Sequence, residues 1–250
     1  METRCPKRPT RRQFLSSVAF TVLAGSAAPV LARSISGSLP WEARSADPPV
    51  QVRPGGWLFF TSEEVATMEA VVDRLVPVDD LSIGGKEAGC VVYLDRQLAG
   101  SYGASSRLYT GGPFLPGLPT QGYQKPETPA ERYRAGLAGL NAWTRDNKGG
   151  KRFSELSPDE QDAVLRDLEA GKISISEHLD AKSFFNLMLS NTMEGFFADP
   201  IYGGNKDMAS WKMLGFPGAR YDYRDHVTKH NQPYPLPPVS IAGSTEWITR

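Results

Sequence analysis

Apolar residues recur at a helical period along much of this chain. Val65, Met68, Val72, Leu75 and Val76 share one helical face. Thr61-Ser62-Glu63-Glu64 can start that helix as a capping box, and Pro77 must end it. Val91, Leu94 and Leu98 give a second helix over 87–99. Tyr133, Leu137, Leu140 and either Trp143 or Thr144 line a third. It opens with Thr128 as cap and Pro129 at the first helical position, and stops at Gly149-Gly150. Ser157-Pro158-Asp159-Glu160 repeats the start signal for a fourth, with Val164, Leu165 and Leu168 behind it and Gly171 as the stop. A fifth, from about 180 to 197, carries Phe184, Phe185, Leu187, Met188, Leu189, Met193, Phe196 and Phe197. A helix apolar on most sides belongs at the centre of a bundle, so Ser190, Asn191 and Thr192 will need hydrogen-bond partners. The pattern predicts a mainly α-helical fold, a single helical domain with long Gly/Pro-rich ordered loops.

Three stretches break the period. Residues 100–127 are rich in Gly and Pro but also hold Tyr102, Tyr109, Phe114 and Tyr123, so they are expected to wrap over the helices or over a partner. Residues 199–218 read DPIYGGNKDMASWKMLGFPG. Asp199-Pro200 breaks the central helix, and Gly203-Gly204 permits a tight turn. Asn205 can cap a short helix through Met208, Trp211 and Leu214, and Gly215-Phe216 suits a Schellman-type ending. The Pro-rich residues 226–250 predict an extended C-terminal tail that lies along a surface or moves freely. The domain proper is then expected over 57–225.

Composition adds a direction. Apolar residues make up 40% and charged residues 22% of the 250, which suits a soluble globular protein. Twenty-eight basic and 28 acidic residues balance, so the charge gives no case for nucleic acid as a partner. The N-terminus is uneven. Arg4, Lys7 and Arg8 precede TRRQFLS, and a small apolar run from Val18 to Ala32 follows, too short and broken for a membrane span. Arg11, Arg12, Phe14 and Leu15 fit a twin-arginine signal over 1–32, which routes folded proteins to the periplasm or to the periplasmic face of the inner membrane. Residues 33–56 read as a linker. Without 1–32 the chain holds 23 basic and 27 acidic residues, a net charge of −4. Cys5 would leave with the signal, and Cys90 alone cannot form an internal disulfide.

Candidate chemistry is thin. The chain lacks a G-x-S-x-G elbow, a G-x-G-x-x-G fingerprint, a C-x-x-C-H haem site and a phosphate-binding P-loop. Asp79, Asp80, Glu87 and Asp95 read as turn or helix carboxylates, not as an acid–base site. Asp222, His226 and His230 are spaced four apart and on a helix would share a face as metal ligands do. Their local sequence is a poor helix, so solvated histidines are expected, with metal binding as the alternative. The expectation is no catalytic residue, cofactor or metal on this chain.

The 199–218 stretch resembles the gluconate 2-dehydrogenase subunit 3 family, the small, gamma-type subunit of membrane-bound flavoprotein sugar dehydrogenases. So do YTGGPF (109–114), QGYQ (121–124), TPAERYRAGL (128–137), the run from Phe153 to Gly171 and MEGFF (193–197). The resemblance implies an accessory subunit that stabilises an FAD-containing catalytic chain and escorts it through the twin-arginine translocase, with haem c on a multihaem cytochrome subunit. The partner-binding stretch is read as Asp199, Pro200, Tyr202, Gly203, Gly204, Asn205, Trp211, Gly215, Phe216 and Pro217, with Tyr202, Trp211 and Phe216 as the contacts and Asp199, Gly203, Gly204 and Asn205 fixing the loop; the alternative is that the loop merely closes the fold. The alternatives are a free-standing periplasmic metal-dependent enzyme and a sugar-binding module.

Overall fold

Reciprocal capping boxes start three of the helices as the sequence predicts. Thr61 pairs with Glu64 ahead of α1 (Ser62–Leu75), Thr128 with Glu131 ahead of α3 (Pro129–Asn147), and Ser157 with Glu160 ahead of α4 (Pro158–Glu169). In each, the hydroxyl accepts from the third helical amide while the glutamate accepts from the cap amide, satisfying donors that a helix start leaves unpaired. The second helix, α2 (Cys90–Ala99), begins later than predicted, because Gly89 at φ +83 interrupts the chain there and 85–89 form turns. The central helix is α5 (Ala181–Phe197), and α6 (Ala209–Leu214) is one short coil beyond it.

This computed structural model describes residue 52 and residues 55–108, 111–220 and 222–242. The signal expected over 1–32, with Arg11, Arg12, Phe14 and Leu15, lies outside the described residues, as do Cys5 and most of the 33–56 linker. The architecture is mainly α-helical, and the described residues belong to one compact unit. Among them, Gly218 and Val239 form an isolated parallel bridge, and no helix is long and apolar enough to cross a membrane.

Helix α5 packs against α1, α2, α3, α4 and α6, the central position its composition demands. Phe184, Phe185, Met188 and Phe196 are buried along it. Tyr133 meets Phe184 edge-on at 5.8 Å and Phe60 at 6.2 Å between ring centres. Gly136 makes room for the Phe184 ring, since a Cβ there would collide with it. The polar residues of α5 divide. Asn191 is buried and well used: its Oδ1 accepts from the hydroxyls of Tyr102 (3.0 Å) and Tyr133 (3.1 Å), and its Nδ2 donates to Glu194 (3.0 Å). Thr192 Oγ1 is buried with no partner among the described residues. Ser190, expected near the interior, is exposed, because it lies about 100° round the helix from the buried Asn191. On α1, Val71 joins the buried face, while Leu75 and Val76 are only partly covered.

Polar side chains tie the helices together. Asn141 of α3 donates to Thr67 of α1 (2.9 Å) and accepts from the Phe153 amide (3.2 Å). Arg74 of α1 forks onto Asp162 of α4 with contacts of 2.7 and 3.1 Å. Asp95 of α2 is the most heavily used. Its carboxylate is fully buried and accepts the amides of Leu58, Phe59 and Phe60, each at 2.9 Å, with Arg96 beside it.

Candidate functional site

The 199–218 stretch is a junction before it is a surface. Where α5 ends, Asp199 accepts the Ile201 amide on Oδ1 (3.0 Å) and so starts the turn Pro200–Tyr202. The same buried carboxylate takes Ser240 Oγ on Oδ1 (2.7 Å) and the Ile241 amide on Oδ2 (2.6 Å). The C-terminal tail therefore returns to this loop. It is fixed further by the Ala219 amide donating to Val239 O (2.6 Å) and the Val239 amide donating to Pro217 O (3.2 Å). The Val52 amide also donates to Ile201 O at 2.9 Å, so chain from both sides of the domain converges on one turn.

Gly203 and Gly204 allow backbone to meet backbone. Gly203 sits at φ +96, a region that side-chain-bearing residues avoid. A Cβ on Gly89 would lie 2.6 Å from Gly203 O, and one on Gly204 would overlap the carbonyl of Gly195 in α5. The loop is thus pressed between the start of α2 and the end of α5, and the Lys206 amide donates to Ala88 O (3.0 Å) across that seam. Asn205 is fully buried: its Nδ2 donates to Ala198 O (2.9 Å), and its Oδ1 accepts from the amide (3.0 Å) and hydroxyl (2.8 Å) of Ser210. Its Oδ1 thus satisfies the second amide of α6, but the cap position itself is held by Met208 and not, as expected, by Asn205. Asn205, Asp207 and Met208 all have positive φ, so the turn stores backbone strain that the seam must hold.

Helix α6 ends in the Schellman manner, with Gly215 at φ +69 and the Phe216 amide donating to Trp211 O (2.8 Å). The structure separates the three aromatic residues expected as contacts. Trp211 is interior, 6% exposed, with Nε1 donating to Phe197 O (2.9 Å). Tyr202 and Phe216 reach solvent at 46% and 45%. Phe216 stands edge-on to Trp211 at 5.1 Å, and Leu214 is exposed beside it. Asp199, Gly204 and Asn205 are buried, Pro200, Gly203 and Pro217 partly so, and Gly215 is exposed. The apolar side chains of the surface are Tyr202, Leu214 and Phe216, with Lys206, Asp207 and Lys212 also exposed; the buried residues shape it from beneath.

The sequence model of one family, described as Gluconate 2-dehydrogenase subunit 3, matches residues 62–218. The chain belongs to that family. The match begins with α1 and ends at Gly218, where the tail forms its bridge. No curated protein and no solved structure matches the chain. As a subunit 3 chain it carries the junction loop inside the family stretch, whereas the tail residues that clasp Asp199 lie beyond it.

Asp222, His226 and His230 do not gather as ligands. Their segment holds only a short turn, Arg224–His226, so the shared helical face that the spacing requires is not formed. Asp222 is taken by Arg224, whose hydrogen bonds hold its carboxyl down at about 2. The His226 ring lies 4.7 Å from that of Tyr234. Among the described residues no cluster of three or more His, Cys, Asp or Glu could hold a metal. An open cleft of about 470 Å³ runs beside them, lined among others by Tyr223, His226, Lys229 and Tyr234. Sequence reasoning passed over Asp95 and the Asp199 clasp, because their partners lie 35–37 and 41–42 residues away.

Proposed function

We propose that this chain is the non-catalytic small subunit of an FAD-dependent dehydrogenase complex acting on a sugar or sugar acid at the periplasmic face of the inner membrane. It stabilises the flavoprotein subunit and brings it through the twin-arginine translocase on the signal at Arg11, Arg12, Phe14 and Leu15. FAD belongs to the catalytic chain and haem c to a multihaem cytochrome subunit. The observation that carries this reading is the family match over 62–218. The use made of the buried polar groups supports it. Asp95 is spent on three backbone amides, Asp199 on the tail, Asn205 on the end of α5 and the start of α6, and Asn191 on two tyrosines. Each holds the fold together.

The test is purification of the tagged full-length chain from its native periplasm and membrane, with absorbance spectra and identification of the chains that come with it. A stoichiometric flavin-containing protein is expected. Arg11→Lys with Arg12→Lys should leave both chains in the cytoplasm. A colourless, solitary protein would overturn the proposal, and ligand-dependent stabilisation of that solitary protein by sugars would replace it with a binding role.

A further inference from the structure

Residues 111–118 read Gly-Gly-Pro-Phe-Leu-Pro-Gly-Leu and contain no polar side chain. Every one of them is exposed, with Leu115 at 68% and Leu118 at 66%, and Leu108 just before them at 69%. None of Phe114, Leu115 and Leu118 belongs to the hydrophobic core. Isolated surface leucines are ordinary, but several in one loop mark a surface that another molecule covers.

The loop is braced at its root. Gln121 Oε1 accepts the Leu118 amide (2.7 Å) and the Gln124 side chain (3.2 Å), and both glutamines fold over Gly117. Behind them the Arg132 guanidinium lies 3.8 Å over the Tyr123 ring, and the Tyr123 hydroxyl donates to Glu127 (2.7 Å). Lys125 Nζ donates to His178 O at 2.9 Å. On the other flank the Ala130 amide holds Gly103 O (3.1 Å). A loop held this firmly at its root loses less freedom on binding than one with an unanchored root, which is what preorganisation contributes to affinity.

Two features choose the occupant. Between Gly111 and Gly117 the backbone makes no hydrogen bond among the described residues. Lipid cannot satisfy such groups, whereas a protein groove can. Residues 107–125 also carry Arg107 and Lys125 and no acid, so two copies of the loop would bring like charges together. We propose that 111–118 is a preformed apolar finger. It inserts into an apolar, acid-rimmed groove on the catalytic subunit. The inference rests on the reading of the chain as a subunit of that complex.

The experiment purifies the complex on tagged full-length chains carrying Phe114→Ser with Leu115→Ser, or the exposed control Leu81→Ser. The finger variant should recover at least about tenfold less flavoprotein than wild type, as expected when central anchors are truncated. The control should recover the wild-type amount. The level and protease resistance of the tagged chain should match in all three, which a folding defect would not allow. Equal flavoprotein recovery by the finger variant overturns the finger while leaving the subunit reading intact. A wild-type chain that brings no flavoprotein overturns both. Loss of self-association alone, or of membrane partitioning alone, would assign the finger to a second copy or to lipid and overturn it likewise.

Discussion

Asp95 shows what one buried side chain can do for a loop. Its two oxygens gather three successive amides from Leu58 to Phe60 and so fasten the chain that leads into α1. The Phe60 amide is buried and has no water to fall back on. Asp95→Ala should therefore cost about 2–4 kcal/mol, more than a surface carboxylate would. Asp95→Asn, which keeps one acceptor oxygen, should cost less. Urea denaturation checks both, with a lower midpoint and an unchanged slope as the expected result. None of this was legible in the sequence, where Asp95 is one polar residue between Leu94 and Arg96. The partners of a side chain so far along the chain are set by how helices pack, not by local pattern.

At the level of elements, the sequence was most informative where causes are local. The Thr61/Glu64, Thr128/Glu131 and Ser157/Glu160 boxes span four residues each, and all three form. The apolar excess of α5 likewise announced a central helix. The junction loop was legible as a turn but not as a seam, because that depends on α2 and α5 arriving on either side of it. This accounts for Trp211: a tryptophan in a Gly/Pro-rich loop reads as a surface contact, yet its ring fills the space beneath the loop. The seam makes a sharp prediction. Gly204→Ala puts a methyl group into the Gly195 carbonyl and should destabilise the fold by about 1–3 kcal/mol. Gly56→Ala, with open space around it, should change stability by no more than about 0.5 kcal/mol. Thermal melting of the two variants side by side checks this.

The molecule as a whole keeps several weak acids protonated. Burial pushes the Cys90 thiol and the Tyr93 hydroxyl up to about 12, and raises Tyr102 and, well above its ordinary value, Tyr133. In the unfolded chain these groups lose their protons near about 8.5 for cysteine and 10 for tyrosine. Between those values and the folded ones the native state binds more protons than the unfolded state, so stability falls as pH rises. It is complete below about pH 8.5 and declines toward pH 12, with a limiting slope near 1.4 kcal/mol per pH unit for each group fully engaged. Urea midpoints at pH 7, 9 and 10.5 should decrease in that order, and Tyr133→Phe should flatten the decline. A midpoint that stayed level to pH 10.5 would contradict the burial of these groups.

The clasp on Asp199 has a consequence in time. Its partners Ser240 and Ile241 are 41 and 42 residues further along the chain. At a synthesis rate of about 5–20 residues per second, the carboxylate waits about 2–8 s for them after it is made. During that interval α5 can form, but the Asp199 carboxylate holds only the Ile201 amide, and Val239 has yet to meet Pro217 and Ala219. A growing chain therefore offers cellular helpers a different face from the finished one. Closing that face falls to Ser240 and Ile241, which are made after the rest of what the clasp holds.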